Sequence, residues 1–153
     1  VIQWSTWERE EWLIDDEYYQ INASGIDHVP DGYQAQYRQY IAAVDWVQCT
    51  QHWHNEIWLF HQQLRHWGVR HVFFNGNSWF DQLGMNQHDW HSNYLQPYSK
   101  SGTYDQILRA NGFQTVNPHS WHFGADAHCF WARYVLQYCV DNNLVDHHAI
   151  CTD

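Results

Sequence analysis

Basic residues are the scarcest chemistry in this sequence. Seven Lys and Arg, of which only Lys100 is a lysine, stand against 17 Asp and Glu, for a formal net charge of −10. A nucleic-acid partner is not expected, because phosphate neutralisation needs clustered cations. Paired cysteines are missing too: Cys49, Cys129, Cys139 and Cys151 form no Cys-x-x-Cys unit, so they read as buried free thiols, with no structural zinc or redox pair. No stretch approaches the roughly 20 apolar residues of a membrane span, and no charged-then-apolar leader opens the chain. A soluble protein without a membrane partner is the expectation. Internal repeats and low-complexity tracts are absent as well.

What is present is a folding composition. Hydrophobic residues make up 44% of the 153, and aromatics 18%, with 11 Trp and 10 Tyr. This length suits one core, so residues 1–153 read as a single α/β domain or as the C-terminal portion of one. The 13 histidines make the net charge sensitive to pH below roughly 6.5.

Periodicity supplies the order of elements. Residues 1–4 are short, apolar and β-prone, and the acidic run after Trp7 suits a short helix or loop. Residues 15–31 lose their period among turn residues and read as a surface excursion. Trp46, Cys49, Trp53, Ile57, Phe60, Leu64 and Trp67 recur at three- and four-residue steps, which predicts a helix burying that stripe and ending at Gly68. Residues 69–75 form a buried strand, 104–110 a short helix, 113–116 a third strand, and roughly 125–143 a closing helix. This order predicts an α/β fold: a parallel sheet of at least three strands flanked by helices, of flavodoxin-like type. Because the first strand opens at Val1, further strands are expected upstream.

Sites in open parallel sheets gather at the carboxyl ends of strands. The most loaded such segment runs Asn117-Pro118-His119-Ser120-Trp121-His122-Phe123-Gly124-Ala125-Asp126-Ala127-His128, then Cys129-Phe130-Trp131-Ala132. It resembles the last block of the SGNH/GDSL hydrolase family, where an Asp-x-x-His loop leads through Gly and His into the closing helix. The sequence is also similar to marine viral proteins. The family resemblance implies an ester hydrolase of SGNH type without cofactor, with His122 as the base that takes a proton from a serine nucleophile. His119 then stands where the family has its acid. No Gly-Asp-Ser turn occurs, and Trp4-Ser5-Thr6-Trp7 occupies the place of the Gly-x-Asn-Asp block. The substrate implied is an ester of a glycan or small molecule. Ser5, Arg9, Asn75, Asn77, Trp79 and Trp121 are its candidate contacts.

Blander readings accompany each of these residues. His122 could cap the last helix, His128 could pack or bond back to the loop, and Asp126 suits a helix N-terminus. The aromatic and amide side chains of residues 76–98 fit either sugar binding or cover for a thin sheet. His52, Glu56, His54 and His61 read as a solvated helix face. No histidine pair completes the three or four ligands of a zinc site, so no metal is expected. The alternative function is a non-catalytic binding or structural protein, for instance in a virion, that keeps the hydrolase fold within an oligomer or larger assembly.

Overall fold

The structure is a computed structural model that describes residues 1–5, 10–21, 26, 29–80, 87–118, 120 and 122–145. Its strands are β1 (Ile2–Trp4), β2 (Glu10–Ile14), β3 (Glu17–Ile21), β4 (Phe73–Asn75) and β5 (Tyr94–Leu95). Its α-helices are α1 (Asp31–Ala43), α2 (Trp46–His66), α3 (Tyr104–Ala110) and α4 (Ala125–Asp141). The fold is α/β, with a three-stranded parallel sheet in the order β1-β4-β5.

Alternation along β4 builds the layers. Successive strand side chains point to opposite faces, so Phe73 joins Ile57 and Leu64 of α2, whereas Phe74 joins Leu108 of α3 and Trp131 and Val135 of α4. The sheet is therefore sandwiched between α2 on one side and α3 with α4 on the other. A separate cluster, Ile14, Ile21, Val29 and Tyr37, joins the β2–β3 hairpin to α1.

Three expectations are corrected. The third parallel strand is Tyr94–Leu95, not residues 113–116. Tyr94 and Leu95 are both buried, whereas Val116 is 61% exposed and Thr115 makes only an isolated antiparallel bridge to Phe123. The end of the acidic run, expected as a short helix or loop, is the strand β2, and it pairs antiparallel with β3, so the excursion after residue 15 begins as the second arm of a hairpin. Its turn residues Asp15 and Asp16 have φ of 50° and 66°, the left-handed pair of a two-residue hairpin turn. The buried face of α2 is His54, Ile57, His61 and Leu64. Trp46, Trp53 and Trp67 of the predicted stripe are instead 37%, 45% and 60% exposed. The helix is rotated because the layer it meets is rich in imidazoles and Trp90, against which histidine packs as an aromatic.

Local chemistry sets the ends of α2. The Asp45 side chain accepts the Gln48 N–H at 3.0 Å as an N-cap. Gly68, with φ of +68°, lets Val69 N–H return to Leu64 O at 2.9 Å, and the chain turns toward β4.

Candidate functional site

The carboxyl rim of the sheet is fastened by backbone bonds. Gly76 N–H donates to Trp4 O at 2.9 Å, and Gly76 O accepts from Asp105 N at 3.0 Å, so the ends of β1 and β4 and the start of α3 meet. Asn75 closes β4 and is buried. Its Oδ1 accepts the Tyr94 hydroxyl at 2.6 Å, and its Nδ2 reaches Pro97 O at 3.4 Å. The Asn75 amide is thus engaged by protein, and a ligand would reach it only after those bonds part. Ser5 and Asn77 are exposed, and Trp79 is half-buried with the Lys100 ammonium 5.4 Å from its ring centroid.

Tyr104, the first residue of α3, connects this rim to the histidine turn. Its ring meets Phe123 edge-on at 5.6 Å and Trp131 at 5.1 Å, and its hydroxyl lies 3.2 Å from His128 Nδ1. Burial, then the Asp105 carboxylate, raises the Tyr104 pKa, so the phenol stays protonated and can donate to His128. Phe123 is buried beneath the Arg109 guanidinium, 5.6 Å from its ring, and Arg109 Nε is bound to both Asp105 carboxylate oxygens at 2.9 and 3.0 Å. Val116 N–H donates to His122 O at 2.9 Å, which fixes the backbone of the turn. A pocket of about 470 Å³ opens beside it, lined by Arg109, Gly112, Phe113, Gln114, Thr115 and Pro118.

His122 itself is exposed, and its backbone N–H donates to Ser120 Oγ at 3.0 Å. Among the described residues its imidazole has no hydrogen-bond partner. His119, Trp121 and Arg9 lie outside the described residues. Of the candidate contacts, Asn75 and Asn77 share the end of β4 and Ser5 follows β1, its register neighbour.

A second set of imidazoles lies under the rim, on the α2 side. The Tyr98 hydroxyl is within hydrogen-bond distance of three nitrogens: His88 N at 2.7 Å, Trp90 Nε1 at 2.8 Å and His54 Nε2 at 3.0 Å. A backbone N–H and an indole N–H can only donate. They occupy the accepting capacity of the phenol oxygen, so its own proton goes to His54 Nε2, and His54 is the neutral Nδ1–H tautomer. The His88 ring sits parallel between His54 at 4.7 Å and Trp58 at 4.5 Å. Burial, with a smaller contribution from His88, pushes His54 down to about 4.

A similar arrangement holds the other end of α2. The Val69 carbonyl can only accept, so His71 Nδ1 donates to it at 2.8 Å, and His71 Nε2 accepts from His61 Nδ1 at 2.8 Å. His61 Nε2 is then a buried lone pair without a partner among the described residues. Burial, followed by His71, pushes His61 down to about 4. The expectation that His54 and His61 are solvated is therefore reversed: they are 2% and 0% exposed. A signal for this exists in the sequence, because 54, 57, 61 and 64 continue one three-and-four-residue stripe.

Among the described residues, no three His, Cys, Asp or Glu side chains are grouped to hold a metal, and no helix is long and apolar enough to cross a membrane. No family model, curated protein or solved structure matches the chain.

Proposed function

We propose that this chain is the sheet-bearing part of a flavodoxin-like, SGNH-type ester hydrolase, with His122 as general base and a glycan or small ester as substrate. The supporting observation is one run of contacts. Asp105 N–H binds the end of β4 at Gly76, and the adjacent Tyr104 packs on Phe123, the neighbour of His122. An exposed imidazole is thereby tied, through two packed residues, to the rim that carries Ser5 and Asn77. In this reading the imidazole takes the proton of a serine hydroxyl as its oxygen attacks the acyl carbonyl, and the imidazolium returns that proton to the leaving alcohol. Water then attacks the acyl-serine by the same route and frees the acid. The nucleophile is a serine outside these 153 residues, since they hold no Gly-Asp-Ser turn. The Trp79 face and the Asn77 amide suit a sugar ring, with Arg9 and Trp121 as further contacts.

The test is release of acetate from acetylated xylan by the full-length protein that carries the serine together with this chain, and by its His122→Ala form. A non-activated ester is needed because 13 imidazoles hydrolyse activated phenyl esters unaided. Loss of a base should lower the rate roughly 10²–10⁴-fold. Equal rates in both proteins, or none, would remove this reading. A second reading, a binding or virion component that keeps the fold without catalysis, is favoured by a specific observation. The imidazole of His122 has no carboxylate partner among the described residues, and position 119 is itself a histidine. Retention of the full chain on acetylated xylan without turnover would support it.

A further inference from the structure

Two features of the Tyr98 cluster go together: its central hydroxyl has no accepting capacity left, and its imidazole is tolerated only without charge. The segment from His88 to Tyr98 is attached to α2 through that hydroxyl and through the ring stack of His54, His88 and Trp58. It reaches the rim as well, since Pro97 O accepts from Phe80 N at 3.0 Å and from the Asn75 amide. We propose that His54 and Tyr98 form an acid-released latch. With His54 uncharged they hold residues 87–98 on α2; a proton on His54 Nε2 frees that segment while the α3–α4 side of the sheet stays folded.

The charge logic is local. A proton on Nε2 would point at an oxygen whose lone pairs already take the His88 and Trp90 N–H groups, so protonation replaces a hydrogen bond with a donor–donor clash. His54 meets its own helix through His88, whose ring lies on Trp58 and whose Nε2 lies 3.4 Å from Asn55 Oδ1. Facing it from the opposite segment are Phe80, His88, Trp90 and Tyr98. The titratable members are His88 and Tyr98, and among the described residues no carboxylate bonds to the His54 ring. Burial lowers His88 as well, so the stack disfavours a second charge too. Phe74, Leu108 and Trp131, on the other face, form a core without an imidazole, which is why opening can stop at the sheet.

The experiment is amide hydrogen exchange by mass spectrometry on the full chain between pH 6.5 and 5, with rates corrected to those of an unstructured peptide. Protection over 87–98 should fall by up to about tenfold per pH unit, the limit that one shifted imidazole sets, and should stay below that of amides 127–139 of α4, which exchange only when the whole chain opens. His54→Gln retains an acceptor for the Tyr98 hydroxyl but cannot take the proton, and should make the fall shallower by about tenfold per unit. The same slope in both proteins, or equal protection over 87–98 and 127–139 throughout, would overturn the latch. Imidazole nitrogen NMR of the unsubstituted protein provides a check that does not depend on a variant folding. His54 must be the Nδ1–H tautomer at pH 7, and finding the Nε2–H tautomer would refute the proposal.

Discussion

At the scale of single residues, the structure separates groups that can yield from groups that cannot. A Cβ at Gly76 would stand 2.8 Å from Gln3 Nε2, the far end of an exposed, flexible side chain. A Cβ at buried Gly102 would stand 2.3 Å from Gln96 Cβ and 3.0 Å from Gln96 O, atoms that move only with the backbone. Gln96 already sits at a φ of +42°, so its backbone has little freedom to retreat. Gly76→Ala should therefore cost less than about 1 kcal/mol, and Gly102→Ala about 1–3 kcal/mol as an overpacking change. Urea unfolding of the two variants checks this, and a larger cost at Gly76 would refute the account. His54 and His61 stand on a buried stripe that spacing carries but residue polarity masks. Imidazole counts as polar in a pattern, yet neutral and stacked, His61 on Trp58 and His54 on His88, it packs as a flat aromatic.

At the scale of elements, strong period and clear punctuation were legible, and short or atypically turned pieces were not. The long helix α2, the closing helix α4 and the strands beginning near Ile2 and Phe73 follow from apolar spacing between Gly and Asn breaks. The β2–β3 hairpin escaped because Asp15-Asp16 forms its turn in place of the usual Asn-Gly. The two-residue β5 is too short to carry any alternation; buried pairing with β4 defines it. The rotation of α2 escaped because two overlapping stripes exist, and tertiary contact with Trp90 chose the one through His61. At the candidate site, the histidine turn was expected directly after a strand at 113–116; that strand is absent among the described residues, and Tyr104 connects the turn to the end of β4. The rotation has a measurable consequence. Trp53→Gln, on the exposed face, should change stability by no more than about 0.5 kcal/mol, whereas Ile57→Ala, 6% exposed, should cost about 2–5 kcal/mol. Denaturant midpoints in the reverse order would restore the original stripe.

At the scale of the whole molecule, the two imidazole contacts at opposite ends of α2 couple global stability to pH. His54 and His61 are each lowered from 6.5 to about 4 in the folded state. Between those values the unfolded chain binds protons that the folded chain refuses, so stability rises with pH. This contribution is complete above about pH 6.5, declines as pH falls, and levels off below about 4. Each imidazole changes stability by about 1.4 kcal/mol per pH unit in that window, and the pair by about 2.7. A net charge of −10 works in the opposite direction, because protonating surface histidines relieves self-repulsion, but at 0.15 M salt that exposed component is largely screened. The buried imidazoles therefore dominate. On the alkaline side the sign reverses. Burial raises the phenol of Tyr94 well above 10, so its stabilisation is present below pH 10 and lost above it. A plateau between about pH 6.5 and 10 with a steep acid limb is the expected profile of urea midpoints. In a His54→Gln/His61→Gln protein the limb between pH 6.5 and 5 should flatten; an unchanged limb would assign acid sensitivity to other groups.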